Sequence, residues 1–287
     1  MTVDGATTGR RPVVGFIGLG AIGGSIADRA ANAGWAPRVF DTRPESAGPR
    51  VRCGASAAAT AVEAGRGADI VCVTVHDDAQ VLKVVDSQLI EVMAPDGIVV
   101  LHSTVTVATV GEARHRCRRR GRHLVDVAVS GGPAGARDGT LALIAGGEPE
   151  LLERLQPLFD TYCSEVILCG PAGSGAATKA ARNLIALGAM ALAADALALA
   201  ERAGVDRECL TRVVAATDPA SRGSRLLEGD LGTGITSTSV AFTGRKDLDV
   251  ASRIAADLEV SLPAADAAIG NWDRVVELVS RSEQGSR

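Results

Sequence analysis

The chain has 287 residues, of which 46% are hydrophobic and only 2% aromatic, and its formal net charge is −4 at pH 7. This length allows two domains of ordinary size with cores of Ala, Val, Leu and Ile. The acidic balance gives no reason to expect a nucleic acid or an anionic membrane surface as a partner. The basic run at residues 116–122 is typical of the solvated last turn of a helix.

The cysteines and the apolar segments predict a soluble cytoplasmic protein. The six cysteines form no CxxC pair, and no histidine stands at metal-ligand spacing from one, so we expect free thiols and no metal site. Residues 1–11 are polar, lack the apolar core of a secretory signal and are expected to form a flexible tail. The apolar stretch at residues 184–200 contains Asp195, which favours a buried helix over a membrane span.

The first half of the chain alternates strand-like and helix-like segments. Short apolar or β-branched runs, the pattern of strands buried on both faces, recur along it. They predict strands at residues 13–17, 38–40, 70–75, 98–101, 124–129, 141–145 and 166–169. Helical patterns lie at residues 21–33, 79–85, 107–120 and 149–159. This alternation predicts an α/β domain with a doubly wound, mostly parallel sheet.

The pattern changes after Gly170. A segment rich in glycine and proline precedes a helical pattern over residues 176–203, which Gly204 ends. Helical patterns and loops follow, without a convincing strand. We therefore predict an α/β domain over residues 1–172 and an all-α domain over residues 173–287.

A glycine-rich turn follows the first predicted strand. Gly18, Gly20 and Gly23 form the pattern GxGxxG, in which the glycines permit a tight turn, close approach to a pyrophosphate and close helix packing. The helix that begins there offers N–H groups and a positive dipole end to phosphates. Asp41 ends the next strand, 18 residues after Gly23, near the distance expected for a ribose-binding carboxylate. These features predict a Rossmann-type site for a nicotinamide dinucleotide.

Asp41 also bears on which dinucleotide binds. A carboxylate accepts hydrogen bonds from the ribose 2′-OH and repels a 2′-phosphate, which favours NAD. Arg43 stands two residues later and could instead bind a 2′-phosphate, so NADP remains open.

Two further motifs carry polar groups suited to a carboxylate substrate. Ser130, Gly131 and Gly132 follow a predicted strand, and adjacent glycines expose consecutive backbone N–H groups that can bind an anion. Lys179 and Asn183 stand four residues apart, on one face of the long helix. Such a pair suits acid/base chemistry and orientation of a carbonyl. A plain β-turn and a solvated lysine are the alternatives.

A last motif, RKDLDVA, places Lys246 and Asp247 at the start of another helix. Taken alone, this pair could be an exposed cap and ion pair. With the glycine turn, the SGG segment and the segment containing Lys179, it resembles, in order, the four signatures of the β-hydroxyacid dehydrogenase family. The resemblance covers residues 13 to about 255.

The resemblance implies an N-terminal Rossmann domain, an all-α C-terminal domain and a cleft between them. It also implies an oxidoreductase that transfers a hydride between NAD or NADP and a short 3-hydroxy acid or semialdehyde, such as 3-hydroxyisobutyrate. The C-terminal domain would bind the substrate and form a homodimer or tetramer.

The resemblance also implies roles for single residues. Lys179 would be the catalytic lysine with Asn183 beside it, while the SGG segment and Asp247 would bind the substrate. His76 is tempting as a base, but the family suggests a loop residue near the cofactor. The implied substrate-binding residues are Ser130, Gly131, Gly132 and Asp247. The implied cofactor-binding residues are Gly18, Leu19, Gly20, Ala21, Ile22, Asp41, Thr42, Arg43, Val75, His76, Thr104 and Lys246.

The chain departs from the family at three places, of which Ile22, where the family often has Met, is a mild change. The strand before Ser130 has Val127 and Ala128 where the family has Ala-Pro, and the closing Gly/Asp/Ser-Ala segment is missing, with residues 271–273 its nearest remnant. That segment would help to line the substrate pocket, so the identity of the substrate stays open. An imine reductase of the same architecture and a non-catalytic cofactor-binding protein are the alternative functions, and the presence of Lys179 speaks against both.

Overall fold

The structure is a computed structural model that describes residues 10–86, 88–217, 225–226 and 236–285. The expected flexible tail at residues 1–11 lies almost wholly outside them.

One eight-stranded sheet dominates the first half of the chain. Its strands are β1 Val14–Ile17, β2 Arg38–Phe40, β3 Ser56–Ala57, β4 Ile70–Val73, β5 Ile98–Leu101, β6 His123–Ser130, β7 Leu141–Gly146 and β8 Cys163–Gly170. Their order is β3-β2-β1-β4-β5-β6-β7-β8, and neighbours are parallel except for the antiparallel pair β6–β7. The strand order reverses between β1 and β4, and doubly wound sheets bind their ligands beside the carboxyl ends of the strands at such a point.

Helices cover both faces of this sheet, because its central strands are apolar on both sides. The helices are α1 Ala21–Asn32, α2 Gly48–Arg52, α3 Ala61–Gly65, α4 Asp78–Asp86, α5 Leu89–Val92, α6 Val107–Arg118, α7 Gly132–Asp138 and α8 Pro149–Phe159. Phe16 and Cys72 pack on one face with the apolar residues of α1 and α8, while Val71 and Val73 pack on the other with those of α4 to α6.

Beyond Gly170, the described residues form helices and contain no further strand. The helices are α9 Ser174–Arg202, α10 Arg207–Thr217, α11 Arg245–Asp257, α12 Pro263–Gly270 and α13 Trp272–Gly285. A helical turn, Ser237–Ser239, and a π-helical turn, Val240–Gly244, lead into α11. The long helix α9 packs against β6 and β7 on one side and against α11, α12 and α13 on the other. It therefore links the sheet to the helical region, whose core centres on the fully buried Trp272.

The predicted fold class, an α/β half followed by an all-α half, is confirmed. Two strands differ from the sequence prediction. The two-residue strand β3 was not predicted, and β8 begins at Cys163 rather than at residue 166. Both run along the edges of the sheet, where side chains face solvent and the apolar run that marks a buried strand is absent.

The prediction of a buried helix at residues 184–200 is correct for only part of its surface. Ile185, Leu192 and Leu199 are 78%, 72% and 73% exposed. They recur every seven residues, so they lie on one face of α9. By length and composition alone, α9 is apolar enough to cross a membrane, and 39% of its most apolar window is buried within the structure. Its other face packs in the protein and carries Lys179 and Asn183.

Candidate active site

The glycine-rich turn lies at the carboxyl end of β1, beside the point where the strand order reverses. Gly18 has φ +90°, and a Cβ there would collide with the carbonyl oxygen of Thr74. A Cβ on Gly23 would collide with the carbonyl oxygen of Gly18. A Cβ on Gly20, in contrast, would meet no atom within 4 Å, so Gly20 borders open space at the start of α1. The turn therefore fits the pyrophosphate of a dinucleotide.

Asp41 follows β2 and is tied to this turn. Its Oδ2 accepts a hydrogen bond from the N–H of Leu19 at 2.7 Å, and its Oδ1 accepts one from the N–H of Arg43 at 2.9 Å. Burial raises the pKa of Asp41, but these two N–H groups and the Arg43 guanidinium together hold it below its ordinary value. The carboxylate is thus ionised at neutral pH. Thr42, which stands between Asp41 and Arg43 in the sequence, is exposed.

The loop after β4 carries Val75 and His76. The N–H of Val75 donates to the Ser103 hydroxyl at 2.9 Å, which joins this loop to the one after β5. The His76 ring stacks on Phe242, with ring centroids 4.1 Å apart. Burial and the positive charge of Lys246 lower the pKa of His76, so the ring is neutral at pH 7. His76 is therefore held by packing against the helical half of the chain.

Lys246 lies in the first turn of α11 and bridges the two halves of the chain. Its Nζ donates to the carbonyl oxygens of His76 at 3.3 Å and Thr104 at 3.1 Å. The same Nζ forms an ion pair with Asp247 Oδ1 at 2.9 Å. The charge of Lys246 is thereby matched within the protein.

A cleft of about 360 Å³ opens between the carboxyl edge of the sheet and the helical half. It brings together residues from α1, β6, α7, α9 and α11 that are far apart in sequence. The predicted site residues that line it are Ala21, Ile22, Thr104, Ser130, Gly131, Gly132, Lys179, Asn183 and Asp247.

Lys179 is a buried lysine of this cleft, with 8% of its surface exposed. Its Nζ donates to the carbonyl oxygen of Val129 at 2.8 Å. Val129 immediately precedes Ser130, and Gly131 and Gly132 both have positive φ, at 127° and 65°. The amine of Lys179 therefore lies at the end of β6, next to the SGG segment.

Asp126 anchors the helix that carries Lys179, and the sequence analysis did not single it out. Its Oδ1 accepts from the N–H of Gly173 at 2.7 Å, and its Oδ2 accepts from the N–H of Ala176 at 2.8 Å. Burial raises the pKa of Asp126 to about 6 despite these donors. The feature of the sequence that could have indicated Asp126 is the presence of an acidic residue within an otherwise apolar predicted strand.

Asn183 is held from both sides. Its side-chain N–H donates to Asp247 Oδ2 at 2.9 Å, and its side-chain oxygen accepts from Arg182 Nη1 at 3.1 Å. The pair of contacts fixes the orientation of the amide. Arg182 itself lines the cleft, although the sequence analysis did not select it.

Trp272 and the π-helical turn complete the apolar wall of the cleft. The Trp272 indole N–H donates to the carbonyl oxygen of Val240 at 3.1 Å. A Cβ on Gly244 would collide with this indole, so the turn packs directly on the ring. Thr243, Gly244 and Trp272 all line the cleft. Trp272 belongs to the remnant segment at residues 271–273. That segment was the feature of the sequence that indicated this wall of the cleft.

The described residues contain no group of three or more His, Cys, Asp or Glu side chains that could hold a metal ion. The described lining of the cleft offers a lysine amine, a guanidinium, a carboxylate, amide and hydroxyl groups and backbone N–H donors beside the glycine-rich turn.

Comparison with known proteins identifies the family. Residues 13–170 match the model of the NAD binding domain of 6-phosphogluconate dehydrogenase. Residues 173–286 match the model described as NAD-binding of NADP-dependent 3-hydroxyisobutyrate dehydrogenase.

Individual relatives agree with these models. An uncharacterized oxidoreductase of Mycobacterium tuberculosis is 34% identical over 90% of this chain and 91% of its own. An NAD-dependent L-serine dehydrogenase of Pseudomonas aeruginosa is 34% identical over 70% of this chain and 68% of its own. A solved 3-hydroxyisobutyrate dehydrogenase of Salmonella typhimurium superposes with a TM-score of 0.78 at 27% identity, over 92% of this chain and 99% of its own. The chain belongs to the β-hydroxyacid dehydrogenase family of NAD(P)-dependent oxidoreductases.

Proposed function

We propose that the protein transfers a hydride between NAD and a short 3-hydroxy acid, or the corresponding semialdehyde, with Lys179 as general acid and base. The observation that carries this proposal is the position of Lys179, whose buried Nζ is fixed at the carbonyl oxygen of Val129, directly before the SGG segment. The names of the L-serine and 3-hydroxyisobutyrate dehydrogenases among its relatives support the class of substrate.

In the oxidative direction, the hydroxyl of Ser130 and the N–H groups of Gly131 and Gly132 bind the substrate carboxylate. Lys179 accepts the proton of the substrate hydroxyl, and in reduction its ammonium returns that proton and polarises the carbonyl. A nicotinamide dinucleotide held by the glycine-rich turn would supply the acceptor or donor of the hydride. Asn183, oriented by its neighbours, positions the reacting oxygen.

The two halves of the chain divide this work. We assign most of the cofactor site to residues 1–172, with Lys246 from the second half, and we assign oligomerisation and most of the substrate site to residues 173–287, with Ser130, Gly131 and Gly132 from the first half. The residues proposed to hold the cofactor are Gly18, Leu19, Gly20, Ala21, Ile22, Asp41, Thr42, Arg43, Val75, His76, Thr104 and Lys246. Asp247 supports the substrate side through its bond to Asn183.

NAD is the proposed cofactor because of the state of Asp41. Its carboxylate is ionised and next to the glycine turn, so it attracts the ribose hydroxyls and repels a 2′-phosphate. The Nε of Arg43 lies 3.5 Å from Asp41 Oδ1, so we assign its guanidinium to this ion pair rather than to a 2′-phosphate.

We further propose a soluble, cytoplasmic homo-oligomer in which the exposed face of α9 packs against a second copy. Ile185, Leu192 and Leu199 form an apolar stripe on that face, and such a stripe buries its surface favourably against another helix. The six cysteines are free thiols in the structure, which fits a reducing compartment.

A turnover screen tests the proposed function. Short 3-hydroxy acids and their semialdehydes are assayed with both cofactors, beside a cyclic imine, and cofactor binding is measured in parallel. We expect turnover of a 3-hydroxy acid with NAD⁺. Turnover of the imine alone would instead identify an imine reductase, and cofactor binding without turnover of any substrate would identify a non-catalytic protein.

A further inference from the structure

Arg182 is a cation of the cleft to which the proposed chemistry gives no contact with the substrate. It lies one helical turn from Lys179 on α9, is half-buried and lines the cleft. Its guanidinium donates through Nη1 to the side-chain oxygen of Asn183. Across the ranges that the structure describes, no carboxylate lies within ion-pairing distance of it, whereas the charge of Lys246 is matched by Asp247.

A guanidinium in this position favours an anionic ligand. It carries five N–H donors in a planar fork, of which one hydrogen bond serves Asn183, and the fork matches the oxygens of a carboxylate, sulfonate or phosphonate. The neighbouring walls include Leu187, Met190 and Trp272, which are apolar. The attraction between a half-buried guanidinium and an anion beside such walls is screened less than it would be in bulk water.

We propose that Arg182 binds a second anionic group of the substrate, so that the preferred substrates are short 3-hydroxy acids with a distal carboxylate, sulfonate or phosphonate. The inference rests on the proposed function, which places the first carboxylate on Ser130, Gly131 and Gly132. Those donors are a hydroxyl and backbone N–H groups, which carry no charge. The guanidinium of Arg182, which lines the same cleft, supplies a charged donor for a second anion.

The spacing on α9 limits the length of the substrate. Residues three apart on a helix have Cβ atoms about 5–6 Å from one another, so Arg182 and Lys179 are neighbours on the helix surface. A substrate whose carbinol is held at Lys179 and whose second anionic group is held at Arg182 therefore has only a short linker between these two groups. A carboxymethyl or sulfomethyl substituent at the carbon next to the carboxylate meets this condition.

Paired substrates of equal size test the proposal. The dianion is 2-(hydroxymethyl)succinate, and its control is the same acid with the distal carboxylate replaced by a carboxamide. We expect the wild-type protein to prefer the dianion, and Arg182→Gln to lower the ratio of the two kcat/KM values by about 10- to 100-fold. The ratio is the readout because loss of the bond to Asn183 lowers turnover of both substrates alike. The sulfomethyl analogue distinguishes a sulfonate preference from a carboxylate preference.

Arg202→Gln is the matched control. It removes the same charge from the exposed end of the same helix, about 30 Å from Arg182, and leaves the ratio unchanged. An equal preference for dianion and amide in the wild type, or an unchanged ratio in Arg182→Gln, would overturn the proposal. Arg182 would then serve only to hold Asn183.

A binding measurement separates this proposal from the proposed function. Calorimetry on the NAD-loaded protein compares the affinity for methylsuccinate with the affinity for its monoamide. Neither ligand has a hydroxyl group to oxidise, so neither reacts. We expect tighter binding of methylsuccinate, with the difference abolished in Arg182→Gln. If the screen finds no hydroxy acid that turns over, the proposed function fails, while this binding difference still supports the anion site. Equal binding of the two ligands overturns the anion site whatever the screen shows.

Discussion

The side-chain amide of Asn183 donates to the Asp247 carboxylate across 2.9 Å and so joins α9 to α11 at the base of the cleft. The other oxygen of that carboxylate pairs with Lys246, whose Nζ reaches the carbonyl oxygens of His76 and Thr104. One carboxylate thus couples the helix with the proposed catalytic lysine to the loops proposed to hold the cofactor.

We expect Asp247→Asn to lower kcat/KM by about 10- to 100-fold. The variant keeps the shape of the side chain but leaves the partly buried Lys246 without its anion, and loss of one partner of such a pair is costly. Steady-state kinetics with a substrate from the screen measure this loss. Asp249→Asn, on the exposed side of the same helix, is the control. Activity of Asp247→Asn within twofold of wild type would show that the coupling has no role in turnover.

Asp126 makes the stability of the protein depend on pH. Its pKa in the folded protein is about 6, above the ordinary value of 3.8, so the folded state holds the proton more tightly than the unfolded state does. Between these two values, a rise in pH therefore lowers the free energy of unfolding. The total loss is about 3 kcal/mol, at about 1.4 kcal/mol per unit of pKa.

Chemical unfolding of wild type and Asp126→Asn at a series of pH values measures this effect. The variant cannot ionise here, so the stability difference between the two proteins isolates Asp126. We expect the wild type to lose stability relative to the variant between pH 4 and pH 7. Asp138→Asn, an exposed change, controls for net charge. A difference that does not vary with pH would contradict the argument.

Asp41→Asn is expected to shift cofactor preference toward NADP. The amide oxygen can still accept from the N–H of Leu19, so the glycine turn keeps its contact while the repulsive charge is lost. The ratio of kcat/KM with NADP⁺ to that with NAD⁺ should rise about 10- to 100-fold, and Glu45→Gln, an exposed change nearby, should leave it unaltered. A wild-type protein that already prefers NADP⁺ would refute this interpretation of Asp41.

Leu192→Glu is expected to break the proposed oligomer. Leu192 is 72% exposed at the centre of the α9 stripe, and a buried, unpaired carboxylate there would oppose association. Light scattering after size exclusion should show a smaller species for the variant than for wild type or for Lys83→Glu, an exposed change on α4. A monomeric wild type, or one that partitions into membranes, would contradict a role for the stripe in self-association.

Much of the first half of the chain could be predicted from the sequence, because buried parallel strands are short apolar runs and the glycine turn has a fixed spacing. The edge strand β8 was predicted too short, since Ser164 and Glu165 face solvent and interrupt the apolar pattern. The exposed face of α9 was not predicted either. Its leucines and alanines do not differ from those that pack inside, so composition could not separate the two faces.

Cleft residues could be predicted from the sequence where they follow a strand or lie at the start of a helix. Cleft residues that reach the cleft only through packing between distant elements could not. The structure places Lys179, Asn183 and Asp247 in one cleft, as the four motifs suggested. Trp272 enters the same cleft through the packing of α13 on the π-helical turn, and the sequence indicated it only as part of the remnant segment at residues 271–273. Helical spacing could have indicated that Arg182 lies near Lys179, since it stands three residues after Lys179.

Lys179→Ala tests the central claim most directly. Loss of a general acid or base typically costs about 10²- to 10⁴-fold in rate. The Nζ of Lys179 donates to Val129 at the end of β6, so we expect cofactor binding at Gly18, Gly20 and Gly23 to survive its removal. Lys83→Ala, at an exposed lysine of α4, is the matched control. Added primary amines should restore part of the lost activity by taking over the proton transfer.

The measurement is the rate of NADH formation at saturating NAD⁺ with the best 3-hydroxy acid from the screen, together with the dissociation constant of NADH. We predict that Lys179→Ala lowers kcat by about 10²- to 10⁴-fold while cofactor affinity stays within about twofold of wild type. A variant that turns over at the wild-type rate would contradict the assignment of Lys179 as the acid and base of this cleft.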